Sequence, residues 1–346
     1  MEKNKKKCTV MCMKAEAITA LAFLMVILSI LITPITASAE KGIITTSFPY
    51  IAEIARIIAG SEWNVTPIVP AGVDPHDYSL SISDVEKLRS STMIVVTNHT
   101  YFEQRIIELV NNGELKPQRL IVAEEIEGLK ILVNPDTKKP NLHMIYYDPD
   151  NLLLLAREIK EALVAVDPQN KDKYEENYQA LASEVQVLKN SYEGKLRMRA
   201  VGSTPIVQYA VSWLGVEITT FLIPEHEAQL SPQKQLEIQR MAENREIDAV
   251  VIRALMSKSG WTPLTQYDQI LVDIARGNGL AIIAVPDPLL YNPNLLQCLK
   301  DLTSGLQESG TKHEETAGLS IGELTAITAI AVLAIVAVTI MVIRKR

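Results

Sequence analysis

The chain has 346 residues, long enough for two modest domains, with 34 basic and 41 acidic side chains and a formal net charge of −7. That acidic balance argues against a nucleic-acid partner, which is held through basic surfaces. Three cysteines, two of them in the first twelve residues, argue against a disulfide-stapled scaffold.

The N-terminus reads as a secretory leader, 1–39. Lys3, Lys5, Lys6, Lys7 and Lys14 precede an apolar run over 17–32, and Ala37-Ser38-Ala39 supplies the small residues of a cleavage site. Cleavage there removes Cys8 and Cys12 and leaves Cys298 as the single thiol. Residues 40–316 then carry 26 basic and 38 acidic side chains.

Short β-branched runs at 43–47, 65–69, 93–97 and 120–123 predict strands, separated by helices at 49–59, 83–90 and 101–111. Such a βα repeat predicts a mainly parallel sheet, and hence an α/β lobe over 40–166. Between the second strand and the second helix lies Asp74-Pro75-His76-Asp77-Tyr78. The spacing of Ser83 and Glu86 predicts a capping box, which would hold His76 on a rigid edge. From the residues alone, His76 is either a surface residue of a capped loop or a metal ligand.

The stretch 150–196 reads as helix twice over, broken at Asp167-Pro168, with a linking helix within 167–198. A second βα set follows over 199–303. Its strands fall at 217–222, 249–253 and 281–285 and its helices at 231–244 and 263–277, the first opened by Ser231-Pro232. Residues 304–320, rich in Gly, Ser, Thr and charge, read as a flexible tether. The uncharged run 324–343 is long enough to span a hydrocarbon core, and Arg344-Lys345-Arg346 would keep the short tail inside, so 321–346 reads as a membrane anchor with the ectodomain outside the cell. A lipid-anchored protein would carry cysteine at the cleavage point, where this chain has Glu40.

Several of these stretches resemble the zinc and manganese class of ABC-transporter substrate-binding proteins. Pro75-His76-Asp77-Tyr78 resembles the turn bearing that family's first metal histidine, and Asn141-Leu142-His143-Met144 resembles its second histidine motif. Thr45-Thr46-Ser47-Phe48-Pro49-Tyr50 looks like the family's first strand and helix. Ile94-Val95-Val96-Thr97-Asn98 looks like a strand ending in an Asn-Gly turn, with His99 where glycine is usual. Val285-Pro286-Asp287-Pro288-Leu289 resembles the motif of the family's metal aspartate, although a proline-flanked aspartate is also an ordinary turn residue.

The resemblance runs from about residue 42 to about residue 290. It implies an α/β fold of two βα lobes with mainly parallel sheets, joined by a long rigid helix, with a metal cleft between the lobes. It implies a site of His76, His143 and Asp287 for Zn or Mn, carried as transported ligand with no organic cofactor, and an ABC permease with its ATPase as partners. Two imidazoles and a carboxylate suit such ions. Thr204 stands where the family has a further His or Glu donor, with Glu225-His226-Glu227 as a local substitute or a solvated loop, and Arg253 stands where glutamate is common.

The function expected is therefore extracellular metal capture and delivery, without enzymatic chemistry. The alternative is a family member kept as an adhesive or structural surface protein. A zinc hydrolase built on His76 and His143 fits less well, since no glutamate stands beside either histidine as general base.

Overall fold

The computed structural model of the protein describes residues 41–225 and 228–315, with side chains as far as residue 306. The predicted leader, the anchor and His226 lie outside the described residues. No helix among the described residues is long and apolar enough to cross a membrane.

The first sheet contains β1 (Ile43–Thr46), β2 (Asn64–Pro67), β3 (Met93–Val96) and β4 (Arg119–Val122), in the order β2-β1-β3-β4 and parallel throughout. Central β3 is buried at all four residues, as a strand covered on both faces requires. The covering helices are α1 (Pro49–Ala59), α2 (Ile82–Arg89) and α3 (Tyr101–Asn111). Pro49 opens α1 at a position where its missing N–H costs nothing, and Ile51, Ile54, Ala55 and Ile58 supply the buried stripe.

The cap of α2 differs from the one expected. Ser81, not Ser83, is the N-cap: its hydroxyl accepts from the N–H of Asp84 at 3.2 Å, and the Asp84 carboxylate accepts from the Ser81 N–H at 3.0 Å. Tyr78 decides the register, because its hydroxyl also donates to Asp84, at 2.8 Å, and this buries the carboxylate under the loop that carries His76.

Helix α4 (Pro149–Val166) and the long α5 (Lys171–Tyr192) follow, separated by a 3-10 turn at the expected Asp167-Pro168 break. At about 1.5 Å per residue, the 22 residues of α5 span about 33 Å. It joins the first lobe to the second. Tyr174, Leu181, Val185 and Leu188 form its buried face, and the Tyr174 hydroxyl is fixed by Trp63 Nε1 at 2.9 Å and Asp167 at 2.6 Å.

In the second sheet, β5 (Met198–Gly202), β6 (Val216–Phe221), β7 (Ala249–Ser257) and β9 (Ala281–Pro286) run parallel, with β5 between β6 and β7 and with β9 on the far side of β7. Two strands escaped the sequence reading. Strand β5 has only Ala200 and Val201 as a buried apolar pair, and β8 (Gly260–Pro263) is a short antiparallel return against an overhang of β7. Helices α6 (Gln208–Ser212), α7 (Pro232–Glu243) and α8 (Gln266–Asn278) complete this lobe. The last helix, α9 (Leu295–Glu315), continues through 304–315, where composition predicted the start of a tether.

The lobes are bound to each other by buried contacts. The Tyr147 hydroxyl donates to the Pro286 carbonyl at 2.6 Å, and the Tyr209 hydroxyl donates to the Asn141 carbonyl at 2.7 Å. One continuous apolar core contains Ile44 and Val95 from the first sheet together with Ala249 and Val285 from the second.

Candidate metal site

Both sheets point the carboxyl ends of their parallel strands into one cleft of about 380 Å³. That is where open α/β sheets place ligands, at the points where strand order reverses. The loop after β2 brings Asp74 and His76, the loop after β3 brings Thr97 and His99, and the long connection after β4 brings His143. From the second lobe, Thr204 follows β5, Glu225 follows β6, Arg253 sits within β7 and Asp287 follows β9.

Three imidazoles converge. Ring centroids of His76, His99 and His143 lie 5.1 Å (76 to 99), 5.7 Å (76 to 143) and 4.7 Å (99 to 143) apart, and one nitrogen from each lies within 4.8 Å of the other two. Zinc with Zn–N bonds of about 2.1 Å holds tetrahedral donors about 3.4 Å apart, a contraction that small side-chain rotations supply. Among the described residues this is the only group of three or more His, Cys, Asp or Glu with such spacing.

Each histidine is held by a nearby side chain. The N–H of His76 donates to Asp74 Oδ1 at 3.0 Å. His143 donates twice to Asn141 Oδ1, from its backbone N–H at 3.0 Å and from Nδ1 at 3.1 Å. An acceptor at Nδ1 fixes the proton there and leaves Nε2 as the lone-pair donor for a cation. Asn141 is itself oriented by donating from Nδ2 to the Pro205 carbonyl at 2.9 Å and to Gln208 Oε1 at 2.8 Å.

His99 is held by the buried Glu103. That carboxylate accepts from the N–H of Thr97 at 2.6 Å, of His99 at 3.1 Å and of Thr100 at 3.1 Å, and from the hydroxyls of Thr97 and Thr100. Asn98 takes the left-handed turn conformation at φ 75°, which asparagine tolerates, so position 99 escapes positive φ and need not be glycine. Burial, and secondarily the neighbouring His76, push the His99 imidazole down to about 4. It is therefore neutral at physiological pH, the state a metal ligand requires, and its Nε2 is buried with no hydrogen-bond partner.

The structure thus brings His76 and His143 together, adds His99, and leaves Asp287 apart. Asp287 Oδ1 accepts from the N–H groups of Leu289 and Leu290, each at 2.9 Å, and Oδ2 lies 3.4 Å from Arg253 Nη1. Burial raises its carboxyl above the usual range, a shift that Arg253 and the two N–H groups partly offset. Thr204 lines the cleft with its hydroxyl buried and unpartnered. The one signal for His99 in the sequence was its place at the end of the third strand, the topological equivalent of the loop that carries His76.

A family profile for the zinc-uptake complex component A, periplasmic, matches residues 44–269. The chain belongs to this zinc-uptake component A family. Its members are substrate-binding components rather than enzymes. The iron ABC transporter substrate-binding lipoprotein MtsA of Streptococcus pyogenes serotype M1 is 27% identical over 166 residues, covering 46% of this chain and 53% of that one. The manganese ABC transporter substrate-binding lipoprotein PsaA of Streptococcus pneumoniae is 27% identical over 157 residues, covering 44% and 50%. The chain therefore spans about half the length of these curated relatives.

Among solved structures, the Mn-bound periplasmic metal binding protein from Candidatus Liberibacter asiaticus superposes with a TM-score of 0.60 at 21% identity, covering 78% of this chain and 99% of that one. FpvC from Pseudomonas aeruginosa in complex with Mn2+ gives 0.58 at 19%, covering 77% and 98%. The zinc-uptake component A fold of two parallel-sheet lobes joined by a long helix is thereby established for this chain.

Proposed function

We propose that this chain captures a divalent metal ion outside the cytoplasm and delivers it to an ABC permease and its ATPase. The observation that carries the reading is the convergence of His76, His99 and His143 at the carboxyl ends of the first sheet. Three nitrogen donors suit zinc better than manganese, which prefers carboxylate and carbonyl oxygen. Asp287 stays in the reading as the second lobe's carboxylate at the cleft, 3.4 Å from Arg253 in this conformation. A leader over 1–39 and an anchor over 321–346 would place the binding lobes, 40–166 and 199–303, at the outer cell surface. Support for the transport role comes from the family match and from relatives named as ABC transporter components.

Equilibrium dialysis against equimolar zinc, manganese and iron, followed by elemental analysis, tests the reading. One bound zinc per chain, retained over manganese, is expected. Protein that emerges metal-free would end it.

A further inference from the structure

Three imidazole donors give a divalent ion nitrogen ligands and no negative charge. The second lobe brings Arg253 and Asp287 to the same cleft, and these two offset each other across 3.4 Å. Among the described residues, the other carboxylates that line the cleft are the exposed Asp74 and the half-buried Glu225, and neither joins the imidazole group. A bound ion would therefore keep its charge in a cleft walled by both lobes, an arrangement that costs heavily unless a counter-charge enters with it.

Unpartnered buried atoms indicate what that counter-charge is. Native proteins rarely leave such atoms unsatisfied. In the cleft they fall into two kinds: an imidazole nitrogen on His99, which suits a cation, and Arg253 Nε, which only donates and so suits an acceptor, with the Thr204 hydroxyl able to donate to the same acceptor. The guanidinium fork matches the two oxygens of a planar oxyanion.

Resting on the metal reading above, we propose that the cargo is a divalent ion carrying a small carboxylate-type oxyanion, carbonate or an organic carboxylate, which Arg253 and Thr204 bind at the coordination position left open by the three histidines. Asp287 is then the positioning residue that orients Arg253.

The test is zinc affinity of the full chain in detergent micelles, measured by competition with a chromogenic chelator at fixed pH and ionic strength, with chloride, bicarbonate or acetate as the added anion. Bicarbonate or acetate is expected to tighten zinc about tenfold over chloride in a saturable manner; a response to bicarbonate alone assigns carbonate, and a response to acetate assigns an organic carboxylate. Arg253→Gln should remove that dependence, and Thr204→Val should reduce it. Arg253→Lys keeps the charge without the fork and should retain only part, which serves if the glutamine variant does not fold. Equal affinity in all three anions overturns the inference and leaves the metal site standing. Tighter zinc binding by Arg253→Gln in every anion also overturns it, since Arg253 would then merely compete for Asp287. No zinc binding in any anion removes both this inference and the metal reading.

Discussion

His143 Nδ1 lies 3.1 Å from Asn141 Oδ1, and the other end of the same amide is fastened to the second lobe through the Pro205 carbonyl and Gln208. One side chain thus sets the tautomer of a first-lobe imidazole and ties it to the facing lobe. The connection that carries both residues is also pinned just before them, where Asp136 accepts from the Thr220 hydroxyl at 2.6 Å, the Phe221 N–H at 2.8 Å and Lys234 Nζ at 2.9 Å. His143 is therefore held by both lobes before any ion arrives.

Asn141→Ala should lower zinc affinity by about 10- to 100-fold, the usual cost of removing a partner that orients a metal-bound histidine. Asn141→Asp keeps the acceptor for His143 while losing the donor to the Pro205 carbonyl and to Gln208. It should therefore retain most of the affinity and lose stability instead. Chelator competition and thermal melting of the two variants separate these effects, and equal affinity losses in both would refute the assigned orientation.

Glu103→Gln tests the support under His99. A glutamine places an NH2 donor where the carboxylate now accepts from three backbone N–H groups and two hydroxyls. Leaving such donors buried and unpaired should cost about 2 kcal/mol of folding stability. Because the His99 N–H is one of those donors, zinc should weaken as well. Urea unfolding without metal gives the first quantity and zinc titration the second; a stability loss with unchanged zinc affinity would show that Glu103 supports the fold alone.

Asp84 gives a pH dependence. Burial raises its carboxyl, but hydrogen bonds from the Ser81 hydroxyl and N–H, from Tyr78 and from Lys87 outweigh this and leave it below its ordinary value. A carboxyl depressed in the folded state contributes stability that is fully present above the unfolded value of about 4 and is lost as pH falls through the lower folded value. Asp84→Asn should therefore cost about 1 kcal/mol at pH 7, as for a lost helix cap, with the gap to the parent closing as pH falls below the unfolded value and through the lower folded one. Denaturation series at pH 7, 4 and 2.5 check this, and a gap that stays constant with pH would refute it.

Much of this architecture was legible in the sequence, for physical reasons that differ from place to place. The first helix, Pro49–Ala59, was read to the residue because proline fixes its start and its apolar stripe is unbroken. Strand β5 was missed because Arg199 and Gly202 dilute its short apolar pair, and the end of α9 was missed because its polar composition resembles a tether. His76 and His143 were readable from local motifs. That His99 would join them depends on β3 lying beside β1 in the sheet, a pairing between distant segments that no local pattern encodes. The motif that resembles the family's metal aspartate places Asp287 at the cleft, but says nothing of Arg253, which reaches the same carboxylate from a neighbouring strand.

His99 is the residue on which the site most clearly departs from the pattern its neighbours resemble, and restoring glycine there is an informative change. The backbone should accept His99→Gly with little cost, since the left-handed residue of the turn is Asn98 and the Glu103 bonds come from backbone N–H groups and the flanking threonines. The extra freedom of glycine in the unfolded chain should lower stability by no more than about 1 kcal/mol. Zinc affinity should fall by at least about tenfold, or 1.4 kcal/mol, because one of three nitrogen donors has gone. At fixed excess zinc, the rise in melting temperature on adding metal should shrink in proportion, since a ligand stabilises the folded state by RT ln(1 + [L]/Kd). Should His99→Gly keep the parent's zinc-dependent rise while His76→Ala and His143→Ala lose it, the ion is held by those two histidines and a donor other than His99, and the three-imidazole site is wrong.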